Sequence, residues 1–314
     1  MDAMKHDPLL ARRAIPADAT VATWRAADGW PVRRFDRPGS GRGAILFQGG
    51  RADVIEKYLE TFDDWHRAGW SVTSFDWRGQ GGSGRLSPDP HVGHAADFVP
   101  WLDDLQGFWR EWTAAHSGPH VVVGHSMGGY LVLQALLERR IRTDAAVLVA
   151  PMLGLRSPIG AAAGGWLARF MAARGDPARS AWSAREDERA VARRARRLTA
   201  DAGRFADEDW WYTQNPAIRL GPPSWAWLAE AFAATARLRA DSRLATVDAP
   251  TLMLLAEKDR LVDARAAAAV AARLPNARIE RFGAECAHEI LREADPVRTR
   301  AMAAIARFLD EVAA

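Results

Sequence analysis

The chain has 314 residues, 48% of them apolar and 26% charged, with 42 basic and 39 acidic side chains, a formal net charge of +3 and one cysteine. That size and apolar content suit one large α/β domain or two ordinary ones and exclude a disordered chain. One cysteine excludes a disulfide framework and a multi-cysteine zinc site, no run approaches the roughly eighteen apolar residues of a membrane span, and so small a charge excess does not argue for nucleic acid.

Lys5, Lys57 and Lys258 are the only lysines. The isoelectric point of about 9.4 therefore reflects arginine, which stays protonated far above neutrality. The first seven residues carry no apolar stretch of the kind a secretion signal needs, so a reducing, cytoplasmic setting is expected. Residues 20–26 and 30–35 flank Asp28-Gly29, a hairpin signal. Residues 44–47 form a short buried strand after a glycine-rich turn. Residues 52–68 read as a helix with Val54, Tyr58, Phe62 and Trp65 on one face, ended by Gly69, and 70–75 as the next strand. A helix over 96–116, a strand at 121–123, a helix over 127–140 and a strand at 145–150 follow. Such alternation predicts a mostly parallel sheet covered on both faces.

From 151 to about 247 the alternation stops, and the patterns are helical and rich in Ala, Arg and Trp. It resumes with a strand at 252–256, a helix over 264–274, a strand at 278–282 and a last helix over 296–313. The expected organisation is an α/β core, 1–150 and 248–314, interrupted by a helical cap, 151–247.

The core carries a candidate nucleophile. Gly124-His125-Ser126-Met127-Gly128 is a G-x-S-x-G sequence entered by an apolar strand and left by a helix, the strand–turn–helix context in which a serine is held on a sharp elbow above the sheet. A serine hydroxyl needs a base, and in this chain order an acid and then a histidine follow it. His288 is the only histidine downstream of Ser126, and it lies in the loop after the strand 278–282. Asp259, three residues beyond the strand 252–256, is the preferred acid. Asp263 competes but suits the N-cap of the next helix, and Glu257 is a third choice. The oxyanion needs two backbone N–H groups. One is expected from Met127. The other is expected from the turn Gln48-Gly49-Gly50-Arg51, with Gly50 preferred and Arg51 the alternative. No metal or cofactor is implied.

Five segments taken in order resemble the α/β-hydrolase superfamily, and more narrowly the bacterial lysophospholipase and monoacylglycerol-lipase group: Gly49-Gly50-Arg51 with Glu56-Lys57-Tyr58, residues 75–83, residues 124–129, Glu257-Lys258-Asp259 with Val262, and Gly283-Ala284 with His288-Glu289. The resemblance implies an α/β-hydrolase fold and the triad Ser126, Asp259 and His288, the residues that spacing selects. Gln48 and Gln80 replace histidines common in the group and resemble the lysophospholipase branch. Asp76-Trp77-Arg78-Gly79 reads as a structural buttress. The implied reaction is ester cleavage through an acyl-enzyme on a lysophospholipid or monoacylglycerol, with a short-chain ester or an N-terminal peptide bond as alternatives.

The cap holds six of the 14 tryptophans, Trp166, Trp182, Trp210, Trp211, Trp225 and Trp227, which suit either an acyl pocket or simple packing. Residues 222–227 resemble the lysophospholipase branch. Arg51, His125, Trp210, Trp225 and Trp227 are the candidates to line the substrate site. The arginines of 185–197 suit either anionic headgroups or a solvated face paired with Glu186, Asp187 and Glu188. Asp207, Glu208 and Asp209 are the acidic cluster that an amine-binding cap would use. The alternative to a purely cytoplasmic setting is peripheral contact with the inner membrane face. Oligomeric state is not specified by the sequence.

Overall fold

The computed structural model describes residues 8–183 and 188–312. Arg185, Glu186 and Asp187, and with them part of the arginine-rich stretch, lie outside the described residues. A short helix α1 (Pro8–Arg13) precedes the hairpin β1 (Thr20–Arg25) and β2 (Pro31–Arg37). Then follow β3 (Ala44–Gln48), α2 (Leu59–Arg67), β4 (Ser71–Phe75), α3 (Val99–Ala115), β5 (His120–His125), α4 (Met127–Leu137) and β6 (Ala145–Val149). Four helices come next: α5 (Ala161–Ala172), α6 (Glu188–Leu198), α7 (Ala202–Gln214) and α8 (Trp225–Ala240). The chain ends with β7 (Thr251–Ala256), α9 (Ala264–Ala271), β8 (Ala277–Phe282) and α10 (Asp295–Val312).

The strands form one eight-stranded sheet ordered β1-β2-β4-β3-β5-β6-β7-β8. From β4 to β8 every pairing is parallel, and only the hairpin at one edge runs antiparallel. The central strands β3, β5, β6 and β7 are buried along almost their whole length, which explains their unbroken apolar runs: both faces are covered. One face packs on α3, α4, α8 and α9 through residues such as Leu105, Leu131, Ala231 and Val270. The other packs on α2 and α10 through Phe62, Trp65, Ile305 and Phe308. This is the α/β-hydrolase architecture.

Strand order reverses between β3 and β5, since the chain runs from β3 outward to β4 and returns to β5 on the other side. Parallel sheets bind ligands at the carboxyl ends of the strands beside such a reversal. Here that crevice lies between the turn after β3 and the turn after β5, the two turns that carry Gly50 and Ser126.

Two helix starts lie three or more residues from expectation, and α4 and α9 each end three residues early, at Leu137 and Ala271. The helix expected from Ala52 starts as a 3₁₀ turn at Ile55–Tyr58 and becomes α-helical only at Leu59. Ala52 is left-handed, with φ 62°, and its N–H donates to Gln80 Oε1 at 2.6 Å, while Ile55 N–H donates to Asp76 Oδ1 at 3.1 Å. The buttress loop thus captures the donors that an earlier helical turn would have used. The helix expected from Ala96 starts at Val99, with Asp97 accepting the Val99 N–H at 2.9 Å and Pro100 in the first turn.

Candidate active site

The turn after β5 bends sharply at Ser126, whose φ of 51° and ψ of −116° are outside the regions a non-glycine residue ordinarily occupies. Such a residue costs on the order of 1–3 kcal/mol and persists only where its surroundings over-determine it. Ser126 N–H donates to Val149 O at 2.9 Å, and Ser126 O accepts from Tyr130 N–H at 3.1 Å and Met152 N–H at 2.9 Å. The glycine at 128 is obligatory for a different reason. A Cβ there would lie 2.3 Å from Gln48 O and 2.5 Å from Gly49 O, so only glycine lets α4 start against the turn after β3.

Ser126 Oγ is 2.9 Å from His288 Nε2. His288 Nδ1 lies 2.5 Å from Asp259 Oδ2, and since a carboxylate only accepts, Nδ1 carries the proton and Nε2 is left as the acceptor for the serine hydroxyl. Asp259 Oδ1 takes the N–H groups of Leu261 at 2.7 Å and Val262 at 3.1 Å. Burial raises the Asp259 carboxyl, but His288 and these donors outweigh it and the net shift is downward. Burial favours the neutral His288 ring, yet the adjoining Asp259 carboxylate wins and raises the imidazole above its ordinary value. The competitors take other duties. Asp263 caps α9 by accepting from Arg265 and Ala266 N–H, and Glu257 is exposed, 3.4 Å from Arg281.

The expected oxyanion donor Gly50 is not available. Its N–H donates to Asp53 Oδ2 at 2.7 Å. That oxygen also takes the Tyr58 hydroxyl at 2.9 Å and His125 Nδ1 at 2.7 Å, and Lys57 Nζ reaches Asp53 Oδ1 at 2.7 Å. Burial raises the Asp53 carboxyl, but Lys57 and His125 hold it well below the usual carboxylate range. The anion therefore captures the nearest amide. The N–H groups of Arg51 and Met127 have no hydrogen-bond partner among the described residues. Gly50 still matters sterically, because a Cβ there would sit 2.9 Å from Ser126 Cβ.

A charged network behind this turn escaped the sequence reading. Lys57 Nζ also meets Glu289 at 2.7 Å and Glu208 of α7 at 3.1 Å, and Arg292 pairs with Glu289. Lys57 so joins the turn after β3, the residue next to His288, and the inserted helices. The only signal was the presence of Lys57 and Glu289 in the family-like segments. The buttress reading of 76–79 is sharpened: Trp77 Nε1 donates to Gly49 O at 2.8 Å and Arg78 pairs with Asp104 and Asp28, so this loop holds the turn after β3 itself.

The remaining candidates separate. Arg51 lies with its guanidinium carbon 5.6 Å from the Trp227 ring, and Trp227 is buried against Phe98. The His125 ring lies 4.9 Å from that of His288, and its Nε2 is buried with no partner among the described residues. Trp225 starts α8, half-buried, its N–H donating to Arg179 O. Trp210 packs on Trp211 and under Arg13, and Trp211 Nε1 donates to Arg12 O, so this pair docks α7 onto α1. Trp166 and Trp182 are 59% and 54% exposed. The six tryptophans of the inserted segment therefore do not line one pocket. Cys286 is buried, and burial pushes its thiol well above the ordinary range, so it stays protonated. Among the described residues no cluster of His, Cys, Asp and Glu could hold a metal.

The fold and the Ser126 elbow define the chain as an α/β-hydrolase. Residues 39–295 match the family described as "Serine aminopeptidase, S33", and the chain belongs to that family. It is 34% identical over 256 residues to lysophospholipase L2 of Escherichia coli, covering 78% of this chain and 72% of that one. It is 30% identical over 273 residues to probable lysophospholipase L2 of Haemophilus influenzae, covering 86% and 84%. Among solved structures it is similar to a soluble variant of monoglyceride lipase from Saccharomyces cerevisiae, with TM-score 0.77 and 18% identity over 95% of this chain and 97% of that one. These relatives place it among lysophospholipase-like ester hydrolases. No helix among the described residues is long and apolar enough to cross a membrane.

Proposed function

We propose that the chain is a serine hydrolase that cleaves the carboxylic ester of a lysophospholipid or a monoacylglycerol through an acyl-enzyme on Ser126. The observation that carries this is the unbroken relay Ser126–His288–Asp259, at 2.9 and 2.5 Å. Ser126 Oγ attacks the ester carbonyl while His288 Nε2 takes its proton. Asp259 fixes the tautomer and stabilises the imidazolium. The carbonyl oxygen, now an oxyanion, is held by the N–H groups of Met127 and Arg51. His288 returns the proton to the leaving alcohol, then activates water, which releases the fatty acid and restores Ser126. Residues 151–247 act as a cap over the strand ends, and Trp227 and Trp225 contribute to the acyl site.

The chemistry of the inserted segment disfavours an amine-bearing peptide substrate. Asp207 is taken by Arg12 and Arg13, and Glu208 by Lys57 and Arg194, so these carboxylates are not free for an amino group. The exposed Trp166, stacked on Phe170 at 5.3 Å with Arg174 over the Phe170 ring, supports a peripheral contact with a lipid surface. A panel of lysophospholipids, monoacylglycerols, short aryl esters and aminoacyl-arylamides tests the reading, with Ser126→Ala as the blank. Lysolipid or monoacylglycerol turnover that vanishes in the blank is expected. Arylamide cleavage exceeding ester cleavage would overturn it.

A further inference from the structure

Many of the more buried guanidinium groups among the described residues are matched with carboxylates. Arg33 meets Glu56 and Asp76, Arg78 meets Asp104 and Asp28, Arg204 meets Glu60, Asp201 and Asp295, and Arg292 meets Glu289. Arg51 departs from this pattern, as do Arg85, Arg179 and Arg239, which meet only carbonyl oxygens, and of these Arg51 is the one that follows Gly50 beside Ser126. It is only partly exposed, and no carboxylate lies within ion-pair distance of it among the described residues. One terminal nitrogen donates to Gly221 O at 2.8 Å, and the guanidinium rests over Trp227. Asp53 and Glu208, the carboxylates that act on it electrostatically, are each engaged by Lys57. Burial is the dominant influence on the group and pushes it down to about 10, where it still carries its charge at neutral pH. A cation withdrawn from water without a counter-ion is costly unless a ligand supplies the anion.

Position says which ligand. The residue follows Gly50, whose Cα lies against Ser126, so this side chain begins beside the reacting ester and reaches toward the loop at Gly221. In a lysophospholipid the glycerol backbone separates the scissile ester from a phosphodiester by about the reach of an arginine side chain. A guanidinium is a fork of fixed N–H donors that suits two phosphate oxygens. We infer that Arg51 binds the phosphodiester of the headgroup while its own amide serves the oxyanion, so that the site selects lysophospholipid over monoacylglycerol. This rests on the ester-hydrolase reading above.

The test compares kcat/KM for a lysophosphatidylcholine and a monoacylglycerol of the same acyl chain, in the same mixed micelles, for the unsubstituted chain, Arg51→Gln and Arg51→Lys. Both substitutions keep the backbone N–H. The ratio of lysolipid to monoacylglycerol should fall about tenfold or more in Arg51→Gln, chiefly through KM, and recover in part in Arg51→Lys. An unchanged ratio, including a loss common to both lipids, overturns the inference. A measurement on the unsubstituted chain guards against a variant that does not fold: glycerophosphocholine should compete with monoacylglycerol, and equimolar glycerol should not. No competition by glycerophosphocholine counts against the headgroup, and stronger competition by inorganic phosphate than by glycerophosphocholine reassigns the site to free phosphate. Turnover of neither lipid by the unsubstituted chain is a separate result: it removes the proposed function itself.

Discussion

Ser126 combines two burdens, a left-handed backbone and a hydroxyl that is inert without a base, and the surrounding hydrogen bonds carry both. Replacing it with alanine leaves the elbow and removes the proposed nucleophile, so kcat on a short aryl ester should fall by about 10³-fold or more. Asp259→Asn should lose about as much, because an amide can stabilise neither the Nδ1–H tautomer nor the imidazolium. His288 must be neutral to act as the base. Its ordinary value of 6.5 is raised by the Asp259 carboxylate, so kcat/KM should climb with pH through a midpoint above 6.5, read from a pH–rate profile on a soluble ester. The same shift contributes stability that is present below 6.5 and fades as pH rises through the folded value, while the lowered Asp259 contributes stability above 3.8 that fades in acid. That these three residues meet was legible in the sequence, because chain order and strand ends constrain them. Which amide of the turn after β3 stays free was not. Nothing in Gln48-Gly49-Gly50-Arg51 tells which amide a distant carboxylate will occupy, and Asp53 takes the one from Gly50.

At the scale of elements, the sheet was readable and the connections less so. Parallel strands buried on both faces write themselves as apolar runs, as Val121-Val122-Val123 and Leu252-Met253-Leu254-Leu255 do. The start of α2 was not, because the periodicity of Val54, Tyr58, Phe62 and Trp65 continues through backbone that Gln80 and Asp76 hold out of the helix. Two substitutions probe these joints. Gly128→Ala places a methyl within 2.3 Å of Gln48 O and should cost about 1–3 kcal/mol of stability with a loss of kcat, measured by denaturant unfolding and ester hydrolysis. Lys57→Met removes the cation from Asp53, Glu208 and Glu289 together. Since one partner of a buried ionic cluster is lost, the cost should be about 3–5 kcal/mol, visible as a lower denaturation midpoint.

Across the whole molecule, the inserted helices are tied to the core by charge as much as by apolar packing: Arg204 to Glu60 and Asp295, Glu208 to Lys57, and Arg12 and Arg13 to Asp207. Of these cations only Arg204 belongs to the inserted segment, which otherwise contributes the acids Asp207 and Glu208, and its tryptophans, suggestive of one roof in the sequence, scatter. Trp227 joins the core, Trp211 grips α1, and Trp166 faces outward. Outward aromatics beside arginines suit a lipid surface, so Trp166→Ser with Phe170→Ser should reduce sedimentation with anionic phosphatidylglycerol vesicles several-fold while a water-soluble aryl ester is still hydrolysed. In the proposed reaction the acyl group passes through Ser126. Peptide mass spectrometry after treatment with a fluorophosphonate ester tests it most directly. One phosphonyl adduct is expected, on the peptide containing Ser126, and none in Ser126→Ala. An unlabelled Ser126 in folded protein that still hydrolyses esters, or an equal adduct in Ser126→Ala, would contradict it.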